Sequence, residues 1–224
     1  MTADETTGER HWVAWHDAYD DPTSPLSRRL EAVRALLSEA LLDAHPGPVS
    51  IVSLCAGQGR DVIGVLPDHP RRDDVTARLV ELDDDLVATA RADAEAAGLD
   101  GVAVVCGDAS HTSMLTGAVP AQVVLLCGIF GNISDDDIAA TVAAAPTLCA
   151  PDATVIWTRH RLEPDLTPSI RAWFAEAGFE EVAWVAPDDV HFGVGAHRLV
   201  GDPQPFDPDR TLFRFEGDGA GAHR

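Results

Sequence analysis

The densest chemistry in this chain of 224 residues lies at Cys55-Ala56-Gly57-Gln58-Gly59-Arg60-Asp61. It follows a short apolar, β-branched run, Val49-Ser-Ile-Val-Ser-Leu54, and leads into an apolar segment that begins at Val62. Gly57 and Gly59 tolerate positive φ and let the backbone come close to a ligand. Glu81 ends the next apolar run, ahead of Leu82 and Asp83. An acid at a strand tip next to such a turn can accept both hydroxyls of a ribose. Gly107-Asp108-Ala109 ends the third run, where a carboxylate can accept the amino group of an adenine. Each piece also has a plainer reading: an ordinary strand-to-helix connection, a helix cap at Asp83 to Asp85, an Asp turn at Asp108. A dinucleotide fingerprint requires a small residue where this chain has Val62, which counts against NAD or FAD.

A second group of residues could act on something bound beside that turn. Gly128-Ile-Phe-Gly-Asn132 follows the fourth apolar run, Thr158-Arg-His-Arg161 ends the fifth, and Pro187-Asp-Asp-Val-His-Phe192 follows the sixth. Ligands of open parallel sheets sit beyond the carboxyl ends of the strands, so topology alone brings Asn132, His160 and His191 to one rim. Histidine is the usual base near neutral pH, which makes His160 and His191 the candidate catalytic bases. Phe130 is a candidate ring for stacking on a substrate. Loop histidines with no catalytic part and a core phenylalanine are the competing readings. The only tyrosine, Tyr19, and two of the five tryptophans lie between Trp12 and Tyr19. Trp12, Trp15, His16 and Tyr19 have i, i+3, i+4, i+7 spacing and share one face of a helix.

The elements that must carry these residues alternate. Strands are expected at Val49–Leu54, Ala77–Leu82, Val102–Cys106, Gln122–Cys127 and Ala153–Trp157, each near-continuously apolar, as in a parallel sheet covered on both faces. Helices are expected at Ser27–Asp43, Asp83–Ala97, Ser134–Ala145 and Thr167–Ala177, with acidic or Ser starts and glycine stops. After Gly178 two strands, Glu180–Ala186 and Gly193–Val200, follow without an intervening helix and should pair antiparallel.

Together these features resemble the class I S-adenosylmethionine (SAM)-dependent methyltransferases. The resemblance spans roughly residues 50–200 and is strongest at Ile51–Gly59, Leu79–Asp83 and Val104–Ala109. It implies an α/β, Rossmann-like three-layer sandwich. The seven-stranded sheet is mostly parallel, of order 3-2-1-4-5-7-6 with the last strand antiparallel, and carries an N-terminal helical extension. It also implies SAM as cofactor and S-adenosylhomocysteine as product. Cys55, Ala56, Gly57, Gln58 and Gly59 would carry the methionine part, Glu81 and Leu82 the ribose, Asp108 and Ala109 the adenine. Cys127 and Gly128 would pass beside the cofactor. Residues 1–45 would form the extension or lid, 46–200 the SAM-binding domain and 201–224 an irregular tail. Two departures stand out: Ser53 where many members have an acid, and Cys55 where they have glycine. Tyr19 or Arg28 from the extension could meet the cofactor carboxylate and compensate for Ser53.

The balance of the chain narrows the acceptor. The formal charge of −21, with all 16 basic residues arginine, repels phosphate backbones and argues against nucleic acid. No apolar run reaches the roughly 18 residues of a membrane span, so no membrane partner and a cytoplasmic location are expected. Cys55, Cys106, Cys127 and Cys149 show neither disulfide nor zinc spacing, and no metal is expected. The expected activity is methyl transfer to a small molecule at an O, N or C atom. A catalytically silent SAM-binding module or partner subunit is the alternative, and an NAD(P)-dependent oxidoreductase a weaker one.

Overall fold

The structure is a computed structural model and describes Tyr19 and residues 21–216. Seven strands form one sheet: β1 (Val49–Leu54), β2 (Val75–Glu81), β3 (Val102–Cys106), β4 (Ala121–Leu126), β5 (Cys149–His160), β6 (Phe179–Val185) and β7 (Phe192–Leu199). Their order is β3-β2-β1-β4-β5-β7-β6, parallel from β3 to β5 and antiparallel at β5–β7 and β7–β6. The expected sheet is the observed one. Its central strands are apolar on both faces because both faces are covered. Val52, Leu54, Val124 and Leu126 join one core cluster, while Ile51, Val123 and Leu125 join the other.

Helix α1 (Pro25–Asp43) buries Val33, Leu36, Leu37 and Leu41 on the second face. Ser24 caps it by accepting the Ser27 N–H at 3.0 Å, and Pro25 needs no donor there. After β1 comes a single helical turn, α2 (Val62–Val65), with Val62 fully buried. In α3 (Asp84–Ala96) the Asp83 carboxylate accepts the N–H groups of Asp85 and Leu86 at 2.9 and 3.0 Å. On the first face lie α4 (Asp135–Ala144), capped by Ser134, and α5 (Thr167–Glu176). Ile138, Val142, Ile170 and Phe174 are their buried side chains there.

The β3–β4 connection holds only the 3₁₀ turn Thr112–Leu115, so it is not a full strand–helix unit. Two glycines and the proline before β4 leave too short a run for a helix. The C-terminal stretch covers that place instead. Its described part, to residue 216, is irregular but firmly packed: Leu212 and Phe213 are buried in the same cluster as Leu115 and Ile138. Thr112 Oγ1 donates to the carbonyls of Asp207 and Arg210, Leu212 N–H to Ser110, and Thr141 Oγ1 to Leu212. Thr112 and Thr141 thus tie down a segment whose sequence carries no periodic signal. Beside the short connection runs a groove of about 270 Å³ lined by Ser50, Thr76, Arg78 and Ala103. It opens at the amino ends of the strands, away from the end where such sheets bind ligands.

Candidate active site

At the carboxyl ends of β1 and β2 the chain turns through left-handed backbone at Cys55 (φ 54°), Gly57 (57°) and Gly59 (66°). Cys55 adopts there a conformation that glycine takes without strain, at a cost of about 1–2 kcal/mol. The two glycines serve different ends. A Cβ on Gly59 would meet Leu79 Cδ1 at 2.8 Å and Ile63 Cδ1 at 2.9 Å, so this glycine lets α2 pack on the sheet. A Cβ on Gly57 would meet nothing within 4 Å, nor would one on Gly128 (φ 78°) after β4. These two glycines therefore border open space at the tips of the strands.

Glu81 closes the turn. One carboxylate oxygen accepts the Gly57 N–H at 2.8 Å, and the other accepts Leu82 N–H at 2.8 Å and Asp83 N–H at 3.0 Å. A carboxylate offers about four lone-pair sites. Three are used, so accepting two ribose hydroxyls at once requires one backbone bond, such as that from Gly57, to give way. Leu82 is 66% exposed beside it, an apolar surface with no protein cover. Asp108 accepts Ser110 N–H at 2.9 Å, which is the Asp turn of the plainer reading, and its other oxygen lies 3.5 Å from His111 Nε2. Ala109 is buried beneath. Gln58 accepts a bond from Arg60 Nε at 2.7 Å.

The opposite flank, toward β4, holds charges to which the sequence reading gives no role. Asp61 is buried, accepts the Val62 N–H at 2.8 Å, and burial holds its carboxyl above the usual range against the pull of Arg34. Tyr19 is half-buried, with its hydroxyl bonded to Arg29 and the Arg60 guanidinium 4.9 Å above its ring. Burial raises its pKa, Arg29 opposes, and Asp61 adds to the rise. Burial also pushes up the Cys127 thiol, which feels both Asp61 and Arg29. Tyr19, Arg29 and Asp61 thus gather where β1 and β4 end. Arg28 is engaged elsewhere: its guanidinium clasps Asp189 at 2.6 and 3.0 Å and pins α1 to the β6–β7 loop. Trp12, Trp15 and His16 lie outside the described residues.

The rim over β4 and β5 is only partly assembled as the sequence suggests. His160 is the last residue of β5, and a Cβ on Gly131 would sit 3.6 Å from its Cδ2, so the imidazole lies against the loop after β4. Burial, and then Arg159, hold His160 below the usual imidazole value, with Asp165 opposing. Asn132 is in the same loop, but its amide nitrogen donates to Gly128 O at 2.8 Å, which fixes the loop. Gly128 N–H in turn donates to Thr158 Oγ1 at 2.9 Å. His191 is exposed and out of phase with His160, because His160 pairs with Phe192. The two histidines share an edge of the sheet without sharing a face. Phe130 is not available for stacking. It is fully buried, with its ring centroid 5.9 Å from that of Trp157, because the loop turns it into the apolar cluster under α5.

No family model and no curated protein matches the chain. Solved structures do. It overlays magnesium protoporphyrin IX methyltransferase from Synechocystis PCC 6803, crystallised with bound SAM, with a TM-score of 0.64 at 12% identity, covering 87% of this chain and 93% of that one. A 1,6-didemethyltoxoflavin-N1-methyltransferase from Burkholderia thailandensis, crystallised with its substrate and S-adenosylhomocysteine, gives 0.61 at 17% identity over 90% and 92%. The fold is that of class I SAM-dependent methyltransferases. An O-methyltransferase family protein from Burkholderia thailandensis gives 0.62 at 16% identity over 80% of this chain, which spans only 57% of that protein.

The glycine turn and Glu81 lie beyond the carboxyl ends of the strands, the end at which open α/β sheets generally bind ligands. Of the residues singled out in the sequence, Cys55 to Gly59, Glu81, Leu82, Asp108, Ala109, Cys127 and Gly128 surround that end. Asp61 and Arg29 join them. Asp61 directly follows the glycine turn, a signal present in the sequence; Arg29 has none, since only the docking of α1 brings it there. Among the described residues, no three His, Cys, Asp or Glu are grouped to hold a metal ion, and no helix is long and apolar enough to cross a membrane.

Proposed function

We propose that this chain transfers a methyl group from SAM to a small-molecule acceptor. The observation that carries the reading is the pairing of an open glycine turn with a single strand-tip carboxylate. Gly57 and Gly128 leave space that a side chain would enter, Glu81 borders it, and exposed Leu82 offers an apolar surface for a nucleoside. The donor set fits SAM. Glu81 would take a ribose hydroxyl, Asp108 the adenine amino group, and the backbone from Cys55 to Gly59 the methionine tail. Asp61 would face the ammonium in place of the acid missing at Ser53, and Arg29 with Tyr19 the carboxylate. Bound there, SAM supplies an electrophilic methyl group and leaves S-adenosylhomocysteine.

What the protein's own residues contribute is orientation and proton handling. In-line alignment alone is worth up to roughly 7–11 kcal/mol in model reactions. Asn132, bonded to Gly128 O, holds the loop that borders the acceptor rim. His160, whose pKa is lowered by desolvation and then by Arg159, would take a proton from an acceptor hydroxyl or ammonium group. His191 is the second candidate, from the neighbouring loop. The −21 charge favours a small molecule over nucleic acid, and a cytoplasmic setting suits four unpaired cysteines. Thermal shift with SAM, S-adenosylhomocysteine, NAD and NADP tests the reading: stabilisation by the first two alone supports it. Stabilisation by NAD or NADP would replace it with the oxidoreductase reading. Binding without turnover across an acceptor panel would favour the silent module.

A further inference from the structure

Residues 210–216 lie outside the sheet and the helices, yet their backbone bonds two of the loops beyond the carboxyl ends of the strands. At one end Thr112 N–H donates to Arg210 O at 3.0 Å and Leu212 N–H to Ser110 O at 2.8 Å, on either side of the His111–Thr211 bridge. At the other end Glu216 N–H donates to Asn132 O at 2.9 Å, beside the Ile133–Phe215 bridge. Between the ends, Leu212 and Phe213 are buried. Two bonds also hold the stretch to α4, from Thr141 Oγ1 to Leu212 O and from Arg214 N–H to Asp137 Oδ2.

The residue gripped at each end is itself bonded to one that borders the proposed cofactor space. Ser110, whose carbonyl takes the Leu212 N–H, gives its own N–H to the Asp108 carboxylate at 2.9 Å. Asn132, whose carbonyl takes the Glu216 N–H, gives its side-chain amide to Gly128 O at 2.8 Å. Among the described residues no hydrogen bond joins the two loops directly. Outside the sheet, the hydrogen-bonded path from Asp108 to Gly128 therefore runs through residues 210–216.

We infer that residues 210–216 are a positioning strap, which sets the Asp108 loop against the Asn132 loop and so fixes the width of the crevice between them. That the crevice receives the nucleoside of SAM rests on the methyltransferase reading. A bond lost at one end is felt at the other, because the buried Leu212 and Phe213 join the ends through a close-packed core that transmits displacement.

The bond at Glu216 can be removed alone. Glu216 is exposed, and Phe215 lies in a β-bridge, the extended conformation that suits the residue before a proline. Glu216→Pro deletes the N–H, whereas Glu216→Ala keeps it and deletes the same charge. In amide hydrogen exchange on the full chain, Ser110 should exchange about fivefold faster in Glu216→Pro than in Glu216→Ala, although it lies on the other loop. Thr112→Val removes the hydroxyl bonds to the Asp207 and Arg210 carbonyls at the opposite end, and should in turn speed exchange at Glu216. By calorimetry, S-adenosylhomocysteine should bind Glu216→Pro about fivefold more weakly than Glu216→Ala. Unchanged exchange at Ser110 in Glu216→Pro, or at Glu216 in Thr112→Val, would overturn the inference and leave two local ties. Equal affinity in Glu216→Pro and Glu216→Ala would overturn it too. Should the wild type fail to bind S-adenosylhomocysteine while exchange still responds across the strap, the donor reading falls and the positioning role stands.

Discussion

The two halves of the sheet treat their polar groups differently. Around β1, β2 and β3, carboxylates meet backbone donors: three N–H groups on Glu81, two on Asp83, one each on Asp61 and Asp108. Around β5, β7 and β6 the core is aromatic. Trp157 packs among Phe130, Phe174, Trp184 and His197, and the buried nitrogens of Trp157, Arg159 and His197 lack partners. Of the buried side-chain nitrogens without partners among the described residues, only Arg78 Nε lies outside β5 and β7. The first half meets its carboxylates with the chain's own backbone donors. The second retains unmet polar groups within β5 and β7. That difference can be tested from either side.

The largest effect is expected at His197. Its ring stacks on Phe174 at 4.5 Å, faces Glu181 at 4.0 Å with Arg171 beyond, and burial lowers its pKa from 6.5 to about 4. Between those values the unfolded chain holds a proton that the folded chain does not. Stability should therefore fall as pH drops from 6.5 to about 4, by about 3 kcal/mol, and level off below. Denaturation of wild type and His197→Phe across that window isolates the contribution, since the carboxylates are common to both. Parallel curves would erase the contrast between the halves.

Next come the two glycines. Gly59→Ala should destabilise by roughly 2–3 kcal/mol, from crowding against Leu79 and Ile63 added to the strain of positive φ. Glu81→Gln should weaken S-adenosylhomocysteine binding about tenfold while leaving the sheet intact, the loss of one charge-assisted hydrogen bond. Gly57→Ala should cost only about 1 kcal/mol of stability, yet reduce affinity for S-adenosylhomocysteine, because its Cβ would enter the space above the turn. Denaturation and calorimetry on the same samples separate these outcomes. If Gly57→Ala and Gly59→Ala behave alike, the glycine turn has no division of labour.

The legible half was legible for a physical reason. Backbone ligation needs glycine at fixed places, and strand tips expose carboxylates at fixed intervals, so Gly57, Gly59 and Glu81 are visible in one dimension. Periodicity likewise located α3 and α4, because Asp83 and Ser134 announce their caps. The rest depends on packing between distant segments. Phe130 reads like a rim residue until the loop turns it under α5, and Arg28 reads like a cofactor ligand until α1 docks against Asp189. The strap through Leu212 and Phe213 has no period to betray it.

The central claim, that adenosine is received across the tips of β1, β2 and β3, is tested most directly by a crystal structure with S-adenosylhomocysteine. A ribose hydroxyl on Glu81, with the homocysteine passing Gly57 toward Gly128, is the expected result. Density for the ligand at another place, or side chains of this chain filling the space above Gly57, would contradict it.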